Sequence, residues 1–495
     1  MGVVRKQSIL SSIFTYIGFA IGAVNILILF PKYFTPEQIG LTRILLDVSL
    51  LFATVCTLGS IPITLKFYPF YKNYVPREKN DLPFITIGLC AIGCLLLLIA
   101  VPSMKPWILR KFGARSPLFV DYFDLIYPFT ITLTFFSLFE AYAWSLKKTV
   151  LSNALKEFAF RLLTTVLIVL FIIGVLSFSG FIHLYSWIFL IPVLIFLYTI
   201  IKQQELPWHM QASALTRRIR GKLFSFGGFL FAGAILNIVA RTNDTIILAS
   251  QSSGGLSDAA VFTIATYLVT VMEVPQRSLV SITTPFIAEA WSKRNLEKIN
   301  RLYKKTSLNL MIAGLAIFGV VMLNIRDIIT FLGPAYAMLG ALVLVCGIAK
   351  LIDLSTGLNT QILLLSKYWK LDFFTNMFLV ALCIPLNYWL TRKYNVMGPA
   401  YGNLVALGVF NTIRFIFIYK LFKFQPFTIS NLKALGIALV VFAGAWWIPA
   451  TTSIFFNILI KSAVFMGVYG WMILRFKVSS DITELFDIIK SRFNW

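Results

Sequence analysis

Long apolar runs dominate this chain, with short polar connections between them. Runs of about twenty apolar residues recur from end to end, the length needed to cross a bilayer as a helix. They place transmembrane helices at roughly 8–31, 39–61, 82–103, 121–145, 151–177, 181–201, 222–249, 258–284, 302–324, 336–361, 371–391, 398–419, 431–449 and 453–474. The pattern predicts an all-α integral membrane protein of about 14 transmembrane helices, with no stretch left for a sizeable soluble domain. After the last run the period changes. Ile482, Leu485, Phe486, Ile489 and Phe493 share one helical face. Asp481, Glu484 and Asp487 lie near the start of that segment and Lys490 and Arg492 near its end, which suits the helix dipole. An amphipathic helix anchored on the cytoplasmic face is expected there.

Composition agrees with this reading. The chain is 58% hydrophobic and 13% charged, far below the charge of a soluble domain. Its 44 basic and 20 acidic residues give a formal net charge of +24. In a water-soluble protein that excess would point to nucleic acid. Here the basic residues sit mostly in short loops, where they set topology and contact anionic membrane lipids, so no nucleic-acid partner is expected. Cys56, Cys90, Cys94, Cys346 and Cys383 all fall in apolar runs without a CxxC pair, and read as small packing residues rather than metal ligands. Arg5 and Lys6 precede a first apolar run with no small-residue cleavage site, so that run reads as a retained span.

Charge bias gives the orientation. The even-numbered connections and both termini hold roughly 29 of the 44 basic residues, against about 9 on the other side. Both termini are therefore expected in the cytoplasm.

Weak internal matches recur at an offset of about 220 residues. Spans 2 and 8 end near Pro62 and Pro285, each before a basic segment, and Gly180 and Gly398 precede spans 6 and 12. The expected organisation is an N-terminal lobe of six spans (1–202), a cytoplasmic linker (203–220), a second six-helix lobe (221–422), and spans 13 and 14 with the tail helix (423–495).

Ionisable residues inside spans are costly and mark candidate function. Span 2 carries Arg43, Asp47, Thr54 and Thr57 on one face. Span 7 carries Asn237, Arg241 and Asp244. Span 8 carries a stripe of Thr263, Thr266, Thr270, Glu273, Arg277, Ser281 and Thr284. The candidate substrate-binding residues are Arg43, Asp47, Arg241, Asp244, Thr270, Glu273 and Arg277. Two polar stripes on equivalent helices imply a hydrated cavity; the alternative is that Arg43–Asp47 and Glu273–Arg277 are neutralised pairs joining helices. Glu157 with Arg161, Lys350 with Asp353, and Arg414 are further candidates, with Arg161 and Lys350 placed to snorkel toward the cytoplasmic surface. His183 and His209 lie outside the apolar centres, and no acidic pair resembles a catalytic or metal site.

Three stretches resemble the polysaccharide and O-antigen flippases of the multidrug/oligosaccharidyl-lipid/polysaccharide exporter superfamily. The first runs from Tyr16-Ile17-Gly18-Phe19 to Phe34-Thr35-Pro36-Glu37-Gln38-Ile39-Gly40. The second is Asp244-Thr245-Ile246-Ile247-Leu248 with Ala260-Val261-Phe262-Thr263-Ile264-Ala265, and the third is Val396-Met397-Gly398-Pro399-Ala400-Tyr401-Gly402. Thr245 and Phe262 depart from the Arg and Tyr common in that pattern. Span 1 lacks the arginines of lipid II flippases and carries no charge.

The resemblance implies two six-helix lobes in a V-shape plus two C-terminal helices, working by alternating access. It implies a transporter, not an enzyme: a flippase for a lipid-linked oligosaccharide on a polyprenyl pyrophosphate, acting in lipopolysaccharide, O-antigen or other surface-polysaccharide biosynthesis at the bacterial inner membrane. Arg43, Arg241 and Arg277 would neutralise the pyrophosphate, and threonines would bind sugars. No cofactor is expected; Glu273, Asp47 or Asp244 could couple transport to H+ or Na+. A polysaccharide polymerase or glycosyltransferase is the expected partner class. The near alternative is a cation-coupled multidrug exporter of the same superfamily. The distant one is a membrane enzyme of glycolipid assembly.

Overall fold

The apolar runs are helices. The computed structural model describes residues 2–202, 209–449 and 453–492. Of the residues singled out from sequence, Phe493 lies outside the described residues, as do residues 203–208 of the 203–220 connection. So do the side chains of Arg5, Lys6, Ser281, Leu485, Ile489, Lys490 and Arg492. Among the described residues, 12 helices are long and apolar enough to cross a membrane, or 13 if a bent pair is one span.

The remaining expected span, 151–177, is interrupted. It runs as Thr149–Asn153, a π-helical turn Ala154–Ala159, and Phe160–Ile172. The count of fourteen was therefore approximate. The widened turn carries Lys156 and Glu157, and π-turns insert where a regular ladder cannot be kept.

The chain divides into two compact units, Met1–Ala260 and Val261–Trp495. In the first, α1 (Gly2–Val24) approaches the π-turn closely. A Cβ on Gly18 would lie 2.2 Å from the Glu157 carbonyl oxygen, so only glycine fits this crossing. One turn on, Asn25 Nδ2 donates to the Arg161 carbonyl (2.9 Å), and Thr165 Oγ1 donates to Asn25 Oδ1 (2.8 Å). Helix α2 (Pro36–Cys56) starts at a capping box. Thr35 Oγ1 accepts from Gln38 N (3.3 Å), and Gln38 Oε1 accepts from Thr35 N (3.0 Å). Pro36 opens the helix and Glu37 sits in its positive first turn. Gly40 then allows close contact, since a Cβ there would meet the Leu256 carbonyl oxygen at 1.9 Å. The stretch Thr35–Gly40 thus encodes a helix start and a tight crossing.

Helix α2 breaks after Cys56, and the chain resumes as α3 (Ser60–Tyr74). Leu58 and Gly59 take positive φ angles of 44° and 80° at the break. Helix α4 (Ala214–Gln251) is 38 residues long and carries Arg217, Arg218 and Arg220 in its first turns. Phe30, Phe34, Phe171 and Phe181 form an aromatic core, with Phe34–Phe171 centroids 4.5 Å apart.

The second unit begins within α5 (Gly255–Thr270), which bends by 48° into α6 (Glu273–Ser292). Then come α7 (Leu296–Leu323), α8 (Leu339–Ser355) and, after a second break with Gly357 at φ 62°, α9 (Asn359–Leu365). They are followed by α10 (Trp369–Tyr394), α11 (Met397–Phe422), α12 (Ile429–Trp446) and α13 (Ile454–Arg475). The tail helix α14 (Ser480–Arg492) is fixed at its start to α7. Asp481 pairs with Lys305 and accepts from Asn309 Nδ2 (2.9 Å), and Ser479 Oγ donates to Asn309 Oδ1 (2.7 Å). All five cysteines are buried.

Candidate functional site

Each unit carries a charged cluster beside a break in its helices. In the first, Arg43 Nε donates to Asp47 Oδ2 at 2.8 Å. The helical i,i+4 spacing on α2 brings them together. The Asp47 side chain is 2% exposed and that of Arg43 is 36% exposed. From α4, the Thr245 side chain hydrogen-bonds the Asp47 carboxylate, and Arg241 acts on it electrostatically without a direct ion pair. Asp244 is half-buried one position before Thr245, and Asn237 and Arg241 are exposed. The structure therefore brings Arg43, Asp47 and Arg241 into one electrostatic group.

In the second unit, Glu273 is the first residue of α6, immediately after the bend. Its carboxylate sits at the positive end of a half-helix. Arg277 Nη2 donates to Glu273 Oε2 at 3.1 Å, and Lys350 Nζ lies 3.1 Å from Glu273 Oε1. The same Lys350 ammonium lies 2.9 Å from Asp353 Oδ2. Lys350 does not snorkel: its side chain is 16% exposed and spent on two carboxylates. The reason is local: Asp353 follows three residues along α8 and Glu273 opens α6, and the ammonium is held between the two carboxylates. Arg161 likewise turns inward on its own helix, donating to Glu157 Oε2 at 2.6 Å.

A polar chain leads on from Asp353. Asn411 Nδ2 donates to Asp353 Oδ1 (3.4 Å), and Asn411 Oδ1 accepts from Thr356 Oγ1 (3.0 Å) and Asn359 Nδ2 (2.9 Å). Thr360 Oγ1 donates to Asn359 Oδ1 (3.3 Å) and accepts from Arg414 Nη1 (2.5 Å). Arg414 is fully buried and reaches Asp372 Oδ1 (2.5 Å) and Thr375 Oγ1 (3.0 Å), with its guanidinium 4.2 Å from the Phe410 ring centre. Sequence reasoning named Arg414 and the Lys350–Asp353 pair but not Asn359, Asp372 or Asn411. The available signal was polar side chains inside the apolar runs of spans 10, 11 and 12.

The threonine stripes are partly self-satisfied. Thr54 donates to the Leu50 carbonyl (2.8 Å), Thr57 to Thr54 (2.7 Å), Thr266 to Phe262 (2.9 Å), Thr270 to Thr266 (2.7 Å) and Thr284 to Val280 (2.6 Å). Their hydrogens return to their own helices, and their oxygens remain as acceptors. Such a hydroxyl can still accept a hydrogen bond but has no hydrogen left to donate.

No protein-family model and no curated protein matches the sequence. Solved structures do match. A lipid II flippase MurJ in an inward closed conformation superposes with a TM-score of 0.74 at 16% identity, over 94% of this chain and 98% of that one. An inward-facing multidrug resistance MATE family transporter of the MOP superfamily gives 0.64 at 13% identity, over 82% and 94%. An outward-facing structure of that kind gives 0.56 at 14% identity, over 87% and 97%. At these identities the likeness establishes the fold: this chain has the helical architecture shared by MurJ and the MATE transporters.

Proposed function

We propose that this chain is a multi-pass transporter of the MOP superfamily that flips a lipid-linked oligosaccharide, a glycan on polyprenyl pyrophosphate, across a bacterial inner membrane. The observation that carries this reading is common to both clusters. In each pair the carboxylate is the more buried partner and the arginine the more exposed: 2% against 36% for Asp47 and Arg43, 32% against 64% for Glu273 and Arg277. The charge offered to a ligand is positive, and guanidinium groups suit phosphate oxygens. Desolvating a pyrophosphate and its sugars is costly, so an unaided bilayer crossing is blocked. Neutralisation by Arg43, Arg241 and Arg277 lowers that cost, while a polyprenyl tail can remain in lipid throughout.

The basic bias of the even-numbered connections supports cytoplasmic termini, where an activated glycolipid is made. Asp47, Asp244 and Glu273 are the carboxylates through which a proton or sodium gradient could act. A polymerase or glycosyltransferase would work on the same glycolipid before or after it crosses. The MATE likeness supports a second reading, a cation-coupled multidrug exporter, which should favour acidic and aromatic cavity residues over arginines.

The test is lipid analysis of a deletion strain complemented with wild type, Arg277→Ala or Glu273→Ala. Accumulated polyprenyl-linked glycan that wild type clears and Arg277→Ala does not is the expected result. Sensitivity to cationic drugs without glycolipid accumulation overturns the reading.

A further inference from the structure

The Lys350 ammonium touches two carboxylates from two interrupted spans. Glu273 begins α6 directly after a bend, and Asp353 lies two residues before the end of α8, where the helix breaks. Irregular backbone at membrane depth persists where it lines a polar site, and broken helices with convergent oxygens are a recurrent way to hold a small cation. Here Nζ lies 3.1 Å from Glu273 Oε1 and 2.9 Å from Asp353 Oδ2, so the ammonium bridges them. Apolar sequence neighbours of these residues pack against α7. A Cβ on Gly314 would lie 2.8 Å from Leu354 Cδ1, 3.1 Å from Leu351 Cδ2 and 3.8 Å from Met272 Cε. Asn411 adds a third helix, donating to Asp353 Oδ1 at 3.4 Å.

The charges close locally. Glu273 and Asp353 supply two negative charges; Lys350 supplies one positive charge between them, and Arg277 a second on the outer side at 3.1 Å. Two carboxylates at this depth cannot stay ionised without a cation. The chain provides that cation itself, on a flexible stem with several donors.

We propose that Lys350 is a tethered cation filling the site formed by Glu273 and Asp353, so that this site works without a bound metal ion and the sodium option named above does not run through Glu273. Removing the Lys350 side chain opens a site for a monovalent metal cation. The inference does not depend on which substrate the protein carries.

The experiment is thermal unfolding of the purified full-length protein, followed by tryptophan fluorescence at pH 8, in NaCl against equimolar choline chloride. Wild type and Lys350→Arg are expected to show no Na+-specific shift that Glu273→Gln removes. Lys350→Met is expected to gain a Na+-specific rise of about 3–6 °C over wild type, as for a ligand well above its dissociation constant. The double variant Lys350→Met/Glu273→Gln should lose that gain. Lys350→Gln, which keeps a polar stem, reads the same effect if Lys350→Met does not fold. Three results overturn the proposal. They are a wild-type Na+ response abolished by Glu273→Gln, no gain in either lysine variant, or a gain that survives in the double variant. None of these bears on whether the substrate is a glycolipid.

Discussion

Arg414, fully buried on α11, donates from Nη2 to Oδ1 of Asp372 on α10 at 2.5 Å. Eight residues before the end of α11, a guanidinium facing lipid would be costly. It survives because Asp372, Thr375 and Thr360 take its hydrogens and Phe410 covers its face. Removing one partner strands the other. Arg414→Met should therefore destabilise the protein by about 3–5 kcal/mol, and Arg414→Met/Asp372→Leu should regain most of that loss. A double-mutant cycle on thermal unfolding in detergent measures it. Additive losses would show that the two residues are not coupled.

The crossing of α1 with the Ala154–Ala159 turn depends on the absence of a side chain at Gly18. A Cβ there would sit 2.2 Å from a backbone oxygen, which cannot turn away. Gly18→Ala should lower stability by about 1–3 kcal/mol through overpacking. Gly88→Ala, where nothing lies within 4 Å, should be neutral or slightly stabilising. Comparing the two unfolding temperatures checks the claim, and equal behaviour would refute the close approach.

The tail helix should be released by acid. Burial raises the pKa of Asp481, but Lys305 and Asn309 outweigh it and hold the carboxyl below its ordinary value. A depressed folded pKa means that the docking contribution is full above the unfolded value, about 3.9, and is lost as pH falls through the folded one. Hydrogen exchange in the 480–487 segment, corrected for intrinsic rate, should be unchanged from pH 7 to pH 5. Protection should disappear only below about pH 4, and Lys305→Ala should move the loss upward. Release already at pH 6 would contradict this account.

The architecture was legible because lipid allows few solutions. A twenty-residue apolar run must become a helix; the capping sequence Thr35-Pro36-Glu37-Gln38, read only for its family resemblance, starts one three residues before the apolar run expected at 39. The Arg43–Asp47 and Glu273–Arg277 pairs were legible because helical spacing puts i and i+4 side by side. Three features were not. Hydropathy does not register a π-turn, so the span around Glu157 read as continuous. Lys350 meets Glu273 on another helix, and no period on its own span reveals that contact. Arg414 finds Asp372 on a neighbouring span, and no local period encodes that meeting.

The central claim is that the exposed arginines serve an anionic glycolipid. Its most direct test is transbilayer movement in vesicles containing the purified protein. The probe is polyprenyl-pyrophosphate glycan isolated from a deletion strain, and an impermeant phosphatase added outside reads its accessibility. Wild type should expose the inner-leaflet pool to the enzyme, while Arg277→Ala should leave it protected. If wild type leaves that pool protected yet moves a cationic dye across the same vesicles, the arginines do not serve an anion and the account is wrong.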